Sequence, residues 1–303
     1  EAPNGRWTGD ALHGPTVRGR KAILFAFIDD HSRLLPGYRW ARREDTVRLE
    51  AALRTGLAAR GIPDSVYLDN GAAMVDKQLL RACASLGIRL VHSRPGQPAG
   101  RGKIERFFRT VREQFLVEIG SGRELDDLTQ LNTLFTAWVE TVYHRRVHTE
   151  TEQTPLDRWS TIGTPVLPTP AQLREAFLWS EYRTVTKTAT VNLHGNLYEV
   201  DTALVGRRVE LVFDPFDLTG IEVRWQDKVM GAAVPHKIGR HVHHKARPDE
   251  ATPPPAPTGI NYLGLIEAQH TTELTQRLRY SQLGDEHDDG QLPLPDTDQE
   301  ASL

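Results

Sequence analysis

The chain has 303 residues, more than one hydrophobic core usually holds, so two or more domains are expected. Its 39% hydrophobic and 25% charged residues are ordinary for a soluble globular protein, no apolar run approaches the ~20 residues of a membrane span, and no secretory signal is visible. The net charge of −3 does not advertise nucleic-acid binding, but the acidic stretch 285–300 masks basic character upstream, so a basic binding face is not excluded.

The chain opens on Glu1 and reaches a strand-like segment by residue 6, so it reads as a fragment or a processed chain. Residues 6–12 (RWTGDAL) suit a short strand. Residues 22–28 (AILFAFI) suit a strand buried on both faces. HSR at 31–33 makes a turn, and 34–40 (LLPGYRW) returns as a third strand, with Pro36 and Gly37 marking an edge or a bulge. A helix follows over 44–60, with Val47, Leu49, Leu53 and Leu57 on its apolar face and Gly61-Ile62-Pro63 as its stop. SVYLD (65–69) is a fourth strand, 75–86 a second helix ended by Gly87, and IRLVH (88–92) a fifth strand. Cys83, the one cysteine, lies among Leu79, Leu80 and Leu86 and reads as a packed thiol. A lone cysteine excludes a disulfide framework and a multi-cysteine zinc site, and it fits a reducing cytosol. Next, RPGQPAGRGKIERFF (94–108) passes from Pro and Gly through a basic run into a helix from about 102 to 118. The order β-β-β-α-β-α-β-α predicts a mixed five-stranded sheet with helices on its faces and suits the ribonuclease-H-like fold.

A further helix is expected over 127–146, where Leu128, Leu131, Phe135, Trp138 and Val142 recur at spacings of three and four. Residues 143–159 read as a basic, turn-rich segment and 164–172 as a Pro-rich linker. Short alternating strands separated by Gly, Asn and Asp turns fill 183–235 and predict a small all-β barrel. A Pro-rich stretch at 252–257, a helix over 260–280 and a disordered acidic end complete the chain, and no internal repeats are visible. The expected domains are a core over 1–160, a linker over 161–182, a β-barrel over 183–245, and a Pro-rich linker, helix and acidic tail over 246–303.

On this map Asp10 falls in the first strand, Asp69 ends the fourth, and Glu105 sits in the first turns of the helix after the fifth. Taken alone, Glu105 among basic residues reads as a solvated face pairing with Arg101 and Arg109. In a mixed sheet, however, the first and fourth strands can be neighbours, and the helix can cross them. Three converging carboxylates repel unless a cation joins them, and hard oxygen ligands with open positions suit Mg²⁺ or Mn²⁺. Two such ions about 3.5–4 Å apart can activate the attacking oxygen and stabilise the leaving oxygen of a phosphodiester. On the helix, Ile104, Phe107, Phe108, Val111 and Phe115 form the core stripe, with Glu105, Arg109 and Arg112 on the adjacent one. Arg101 and Lys103 come just before it.

Asp69 and Glu105 are separated by 35 residues (105 − 69 − 1). With WTGDALHGP around the first acid, FIDDHSR after it, DNG at the second and GRGKIERFF around the third, the sequence resembles the DDE transposases of the retroviral-integrase superfamily. HRRVHTETEQTPLDRW (144–159) resembles the segment that closes this catalytic domain in bacterial insertion-sequence transposases, and the β-rich region resembles the C-terminal domain of Mu-type transposases. The resemblance covers roughly residues 5–235. It implies that Asp10, Asp69 and Glu105 bind two divalent metals, and that Arg101 and Lys103 approach DNA phosphates, joined by Arg109 and Arg112 of the same basic face. It also places Asn70 beside the site. It implies cleavage and strand transfer of transposon-end DNA into target DNA by an oligomer assembled on DNA in the bacterial cytoplasm. The helix-turn-helix region usual in bacterial relatives is not in this sequence, nor is a His/Cys zinc module of the retroviral type, so poor recognition of transposon ends is expected.

Other residues invite weaker readings. Asp29 and Asp30 suit strand exit and turn capping. His13, three residues after Asp10, could touch the site, but a polar loop contact is the plainer reading. His236, His241, His243 and His244 read as basic surface or DNA contacts rather than a metal site. Phe107, Phe108 and Trp138 are core by spacing, and Trp40 and Trp225 suit ordinary packing.

Overall fold

The computed structural model describes residues 2–71, 74–93, 100–120, 125–237, 243 and 262–283. Strands β1 (Trp7–Val17), β2 (Arg20–Asp29) and β3 (Gly37–Ala41) form an antiparallel meander. Helix α1 (Thr46–Arg60) leads to β4 (Ser65–Leu68), and α2 (Lys77–Ser85) leads to β5 (Arg89–His92). Strand β4 pairs with β1 in parallel and β5 with β4 in parallel, giving the order β3-β2-β1-β4-β5. This mixed sheet with helices on both faces is the ribonuclease-H-like arrangement that the element order predicts.

The apolar run in β2 is buried on both faces. Phe25 and Phe27 pack with Trp7, Val66 and Leu68 under α1 and α2, whereas Leu24, Ala26 and Ile28 face the opposite layer. That layer comprises α3 (Gly102–Thr110), a π-helical turn (Val111–Leu116), α4 (Val117–Gly120), α5 (Leu128–Trp138) and a second π turn (Val139–Tyr143). Ile104, Phe107, Phe108, Val111, Phe115 and Trp138 are all buried there, as their spacing predicts. The expected helices over 102–118 and 127–146 therefore each contain a wider π turn. Val111, Phe115 and Ile119 recur at a strict interval of four, which drifts around a 3.6-residue helix, and the wider turn keeps them on the core side. Trp40 is buried edge-on to Phe135. Cys83 is buried, which pushes its thiol up to about 12.

Three boundaries differ from the sequence reading. Strand β1 continues to Val17, past an irregularity between His13 and Thr16, and turns into β2 through Arg18 and Gly19, both at positive φ. Strand β3 begins at Gly37 because its backbone lies against α1: a Cβ on Gly37 would come within 2.3 Å of the Ala52 carbonyl oxygen. The segment read as linker holds α7 (Pro170–Ala176), closed by a Thr169–Gln172 capping box, and the start of β6 (Trp179–Thr184). Before it, the turn-rich segment holds α6 (Pro155–Ser160), capped by Thr154.

The β-rich region adds β7 (Thr190–Leu193), β8 (Asn196–Glu199), β9 (Arg208–Asp214), β10 (Asp217–Trp225) and β11 (Lys228–Lys237). Its antiparallel order is β6-β9-β10-β11-β8-β7, and Arg183 of edge strand β6 donates to the Asn192 carbonyl of edge strand β7 at 3.1 Å, so the sheet nearly closes into a barrel. The half-buried Trp225 lies in β10 with the Arg207 guanidinium over its ring. The barrel docks on the first domain. Trp179 donates to Glu50 at 2.9 Å, Gln78 donates to the Ser180 carbonyl, and Val47 of α1 enters the barrel core. Helix α8 (Tyr262–Leu283) returns to α5, seating Leu263 and Ile266 in the core, with Arg145 pairing to Glu273 at 2.6 Å. No helix among the described residues is long and apolar enough to cross a membrane. The acidic stretch 285–300 and the Pro-rich stretch 252–257 lie outside the described residues.

Candidate active site

The sheet register brings the first two acids together. Trp7 is level with Val66 and Thr8 with Tyr67, so two residues further on, Asp10 comes level with Asp69 on the same side of the two strands. That side is the one facing α3, since Asp10 sits opposite Ala26 of the same core layer. Asp10 is buried and accepts the Ala11 N–H at 2.8 Å. Asp69, just past β4, accepts the Gly71 N–H at 2.8 Å, which fixes its carboxylate at the strand exit.

Arg101 stands between them. One guanidinium nitrogen lies 2.6 Å from Asp10 Oδ2 and the other 3.6 Å from Asp69 Oδ2. Glu105 is one helical turn on, its N–H bonded to the Arg101 carbonyl at 3.0 Å, and its side chain is exposed. Partial burial opposes the charge on Arg101, but the Asp10 hydrogen bond and the charges of Asp10, Asp69 and Glu105 outweigh it and hold its pKa above the ordinary value. Asp10 and Asp69 thus share one guanidinium, with Glu105 one helical turn further on. Burial pushes the Asp10 carboxyl above the usual carboxylate range. Arg101 and the Ala11 N–H oppose that shift, and the Asp69 charge adds to it.

The other expected residues fall in different places. Lys103 pairs with Asp30 at 2.6 Å and also donates to its carbonyl. Arg109 and Arg112 are exposed on the helix beyond Glu105. Asn70 donates to the Ser93 carbonyl at 2.8 Å, tying the exits of β4 and β5 together beside Asp69. His13 is not brought to the carboxylates. It is an odd number of residues from Asp10, so it emerges on the opposite face, where its largely exposed ring lies 3.5 Å from Glu44. Asp29 is buried and accepts from the Asn4 N–H and from the Ser32 N–H and hydroxyl, the turn-capping role its position suggests. His236 pairs with Glu199, His243 is buried beside Trp179, and His241 and His244 lie outside the described residues.

Three features escaped the sequence reading. Arg101 and Lys103 read as phosphate contacts, whereas both are engaged with acids that only the fold brings near. His144 is fully buried, accepts the Leu35 N–H at Nε2 (3.1 Å) and lies 3.2 Å from Glu140 through Nδ1. Burial pushes its pKa down, so the ring is neutral and donates from Nδ1, locking the loop after Asp30 to the second π turn. A shallow groove beside α3 is lined by Lys103, Arg106, Arg146 and His148. Its signal was present as basic residues in two distant segments, 101–112 and 144–148.

Two carboxylates, one on β1 and one just past β4, share a single guanidinium, and a third is exposed one helical turn beyond it. This sheet order defines a ribonuclease-H-like fold with two acids level with each other, Asp10 within β1 and Asp69 at the exit of β4. Integrase core domain families match residues 1–98 and 86–155, and the Mu transposase C-terminal family matches residues 174–230. The chain thus carries a region that matches an integrase core domain, followed by one that matches a Mu transposase C-terminal domain.

Among curated relatives, the transposase for transposon Tn552 from Staphylococcus aureus is 26% identical over 70% of this chain. The chain spans about half, 48%, of that relative's length. A Gag-Pro-Pol polyprotein of human T-cell leukemia virus 3 is 28% identical over 39% of this chain and 8% of its own length. Among solved structures, the HTLV-2 integrase catalytic core domain in complex with magnesium is 18% identical with a TM-score of 0.43, covering 52% of this chain and 97% of that one. The simian T-cell lymphotropic virus intasome in complex with PP2A regulatory subunit B56 gamma is 20% identical with a TM-score of 0.48, covering 80% of each chain.

Proposed function

We propose that this chain is the catalytic part of a DDE transposase that cuts DNA at a transposon end and joins the freed 3′-OH to target DNA. The observation that carries this reading is that Asp10 and Asp69, level on neighbouring strands, both engage the Arg101 guanidinium one helical turn before Glu105. Asp10, Asp69 and Glu105 would hold two divalent cations, Mg²⁺ or Mn²⁺, which supply activation of an attacking oxygen and charge stabilisation at the leaving oxygen of a phosphodiester.

The protein's own groups supply the rest. The register of β1 with β4 supports this reading by bringing two carboxylates level, and α3 carries the third one turn after Arg101. Arg109 and Arg112 offer exposed charge to the DNA backbone on the same helix as Glu105. Arg101 and Lys103 exchange their carboxylate partners for phosphates when DNA arrives. Both steps are in-line displacements, first by water and then by the DNA 3′-OH, so no serine or tyrosine nucleophile is needed. An oligomer on DNA would bring two such sites to the paired ends.

A strand-transfer assay with pre-cleaved transposon-end DNA, Mn²⁺ and a plasmid target tests this reading, with Glu105→Gln alongside. Joined products that disappear in the variant support it. Cutting without joining indicates a ribonuclease-H-type nuclease. DNA binding with neither reaction indicates a transposase-derived regulator.

A further inference from the structure

Three metal-ligating side chains meet in the barrel, on elements separate from the acidic site. Glu181 lies on β6, His194 in the turn between β7 and β8, and His243 after β11. One ligand atom from each lies within 4.8 Å of the other two. His194 Nε2 is 2.8 Å from Glu181 Oε1, and the two imidazole rings stand edge-on at 4.1 Å and 83°.

The surroundings hold these groups in place. His243 is 2% exposed, its N–H bonds to the Pro215 carbonyl at 2.8 Å, and its ring packs on Trp179. Phe213 packs against His194. Hydrogen bonding from His194 brings the Glu181 carboxyl down to about 2, with Arg183 at its other oxygen, so it is charged at neutral pH. The position of His194 is also informative. His194 and Gly195 form a two-residue turn between paired Leu193 and Asn196, with φ of 49° and 85°. Such a turn favours Asn or Asp at its first position, and a histidine there places an imidazole over Glu181.

We propose that Glu181, His194 and His243 form a site for one zinc-type divalent cation, with two imidazole nitrogens, one carboxylate oxygen and a fourth position for water. Imidazole-rich sets select Zn²⁺ or Co²⁺ over Mg²⁺, which separates this site chemically from the all-carboxylate one. A bound metal would take the place between His194 Nε2 and Glu181 Oε1 that their 2.8 Å contact now occupies. The site would clip the chain that follows β11, on its way to α8, to β6 and the β7–β8 turn.

Titrating the whole chain with Zn²⁺ by calorimetry, and with Co²⁺ by visible absorption, tests the site. His243→Ala, His194→Asn (which suits the turn) and an Asp10→Asn/Asp69→Asn double variant are compared after circular dichroism shows each is folded. The expected result is one tight Zn²⁺ per chain, tetrahedral Co²⁺ bands, a loss of about 100-fold or more in affinity in either histidine variant, and no change in the aspartate double variant. Three results would overturn the proposal: no tight Zn²⁺ in the wild type, binding untouched by both histidine changes, or binding lost with the aspartates. Any of them would leave these residues an ion pair and a ring contact only.

Discussion

Arg101 donates to Asp10 at 2.6 Å, across 91 residues of sequence, and so joins the entry of α3 to the middle of β1. This contact neutralises a buried carboxylate whose neighbour, Asp69, carries the same charge. Removing the guanidinium leaves two facing acids. Arg101→Ala should therefore lower the melting temperature in EDTA by roughly 2–4 °C, and Mn²⁺ should restore most of that loss. Differential scanning fluorimetry with and without Mn²⁺ reads both effects.

Glu105 is exposed and makes no core contact, so Glu105→Gln should change stability by less than about 0.5 kcal/mol. Strand transfer should fall by about 100-fold or more, as for loss of an electrostatic catalytic group. Thermal melts beside single-turnover joining assays separate the two quantities.

Arg109 and Arg112 should bind phosphates without reading sequence. Each change to alanine should weaken specific and non-specific DNA alike and reduce the slope of log K against log salt by about 1. Fluorescence anisotropy at several salt concentrations measures this. A change in sequence preference would contradict the assignment.

Glu50 makes the barrel–core contact pH-sensitive. Burial pushes its carboxyl up to about 8 from an ordinary 4.5, against the hydrogen bond from Trp179. The folded state therefore holds a proton that the unfolded chain releases above pH 4.5. This contribution is fully present below pH 4.5 and is lost as pH rises through about 8, with a slope of up to ~1.4 kcal/mol per pH unit. Glu50→Gln should leave stability at pH 5 nearly unchanged and raise it at pH 8.5. Urea melts at the two pH values test the sign.

Much of this architecture was legible because local signals agreed with the global fold. AILFAFI has the length and unbroken apolar character of a strand covered on both sides, and the αβ alternation after the meander pointed to a mixed sheet. The acids were legible as a set because the motifs around them and the spacing of Asp69 and Glu105 resemble a known family. The helix within the Pro-rich segment was missed because Pro168-Thr169-Pro170 looks like linker. The same residues are also a helix start, with Thr169 as cap, Pro170 in the first turn and Gln172 completing the capping box. Contacts that depend on assembled geometry were not legible. Neither the Lys103–Asp30 pair nor the Arg101 bridge follows from any local pattern, because each joins segments that the sheet alone brings together.

The central claim is that Asp10, Asp69 and Glu105 are one metal-binding unit. Electron paramagnetic resonance that counts Mn²⁺ bound to the chain with donor-end DNA tests it most directly. About two Mn²⁺ per active site are expected, with loss of both in Asp10→Asn/Asp69→Asn and loss of at least one in Glu105→Gln, while His243→Ala binds as the wild type does. Unchanged Mn²⁺ binding by the aspartate double variant would contradict it.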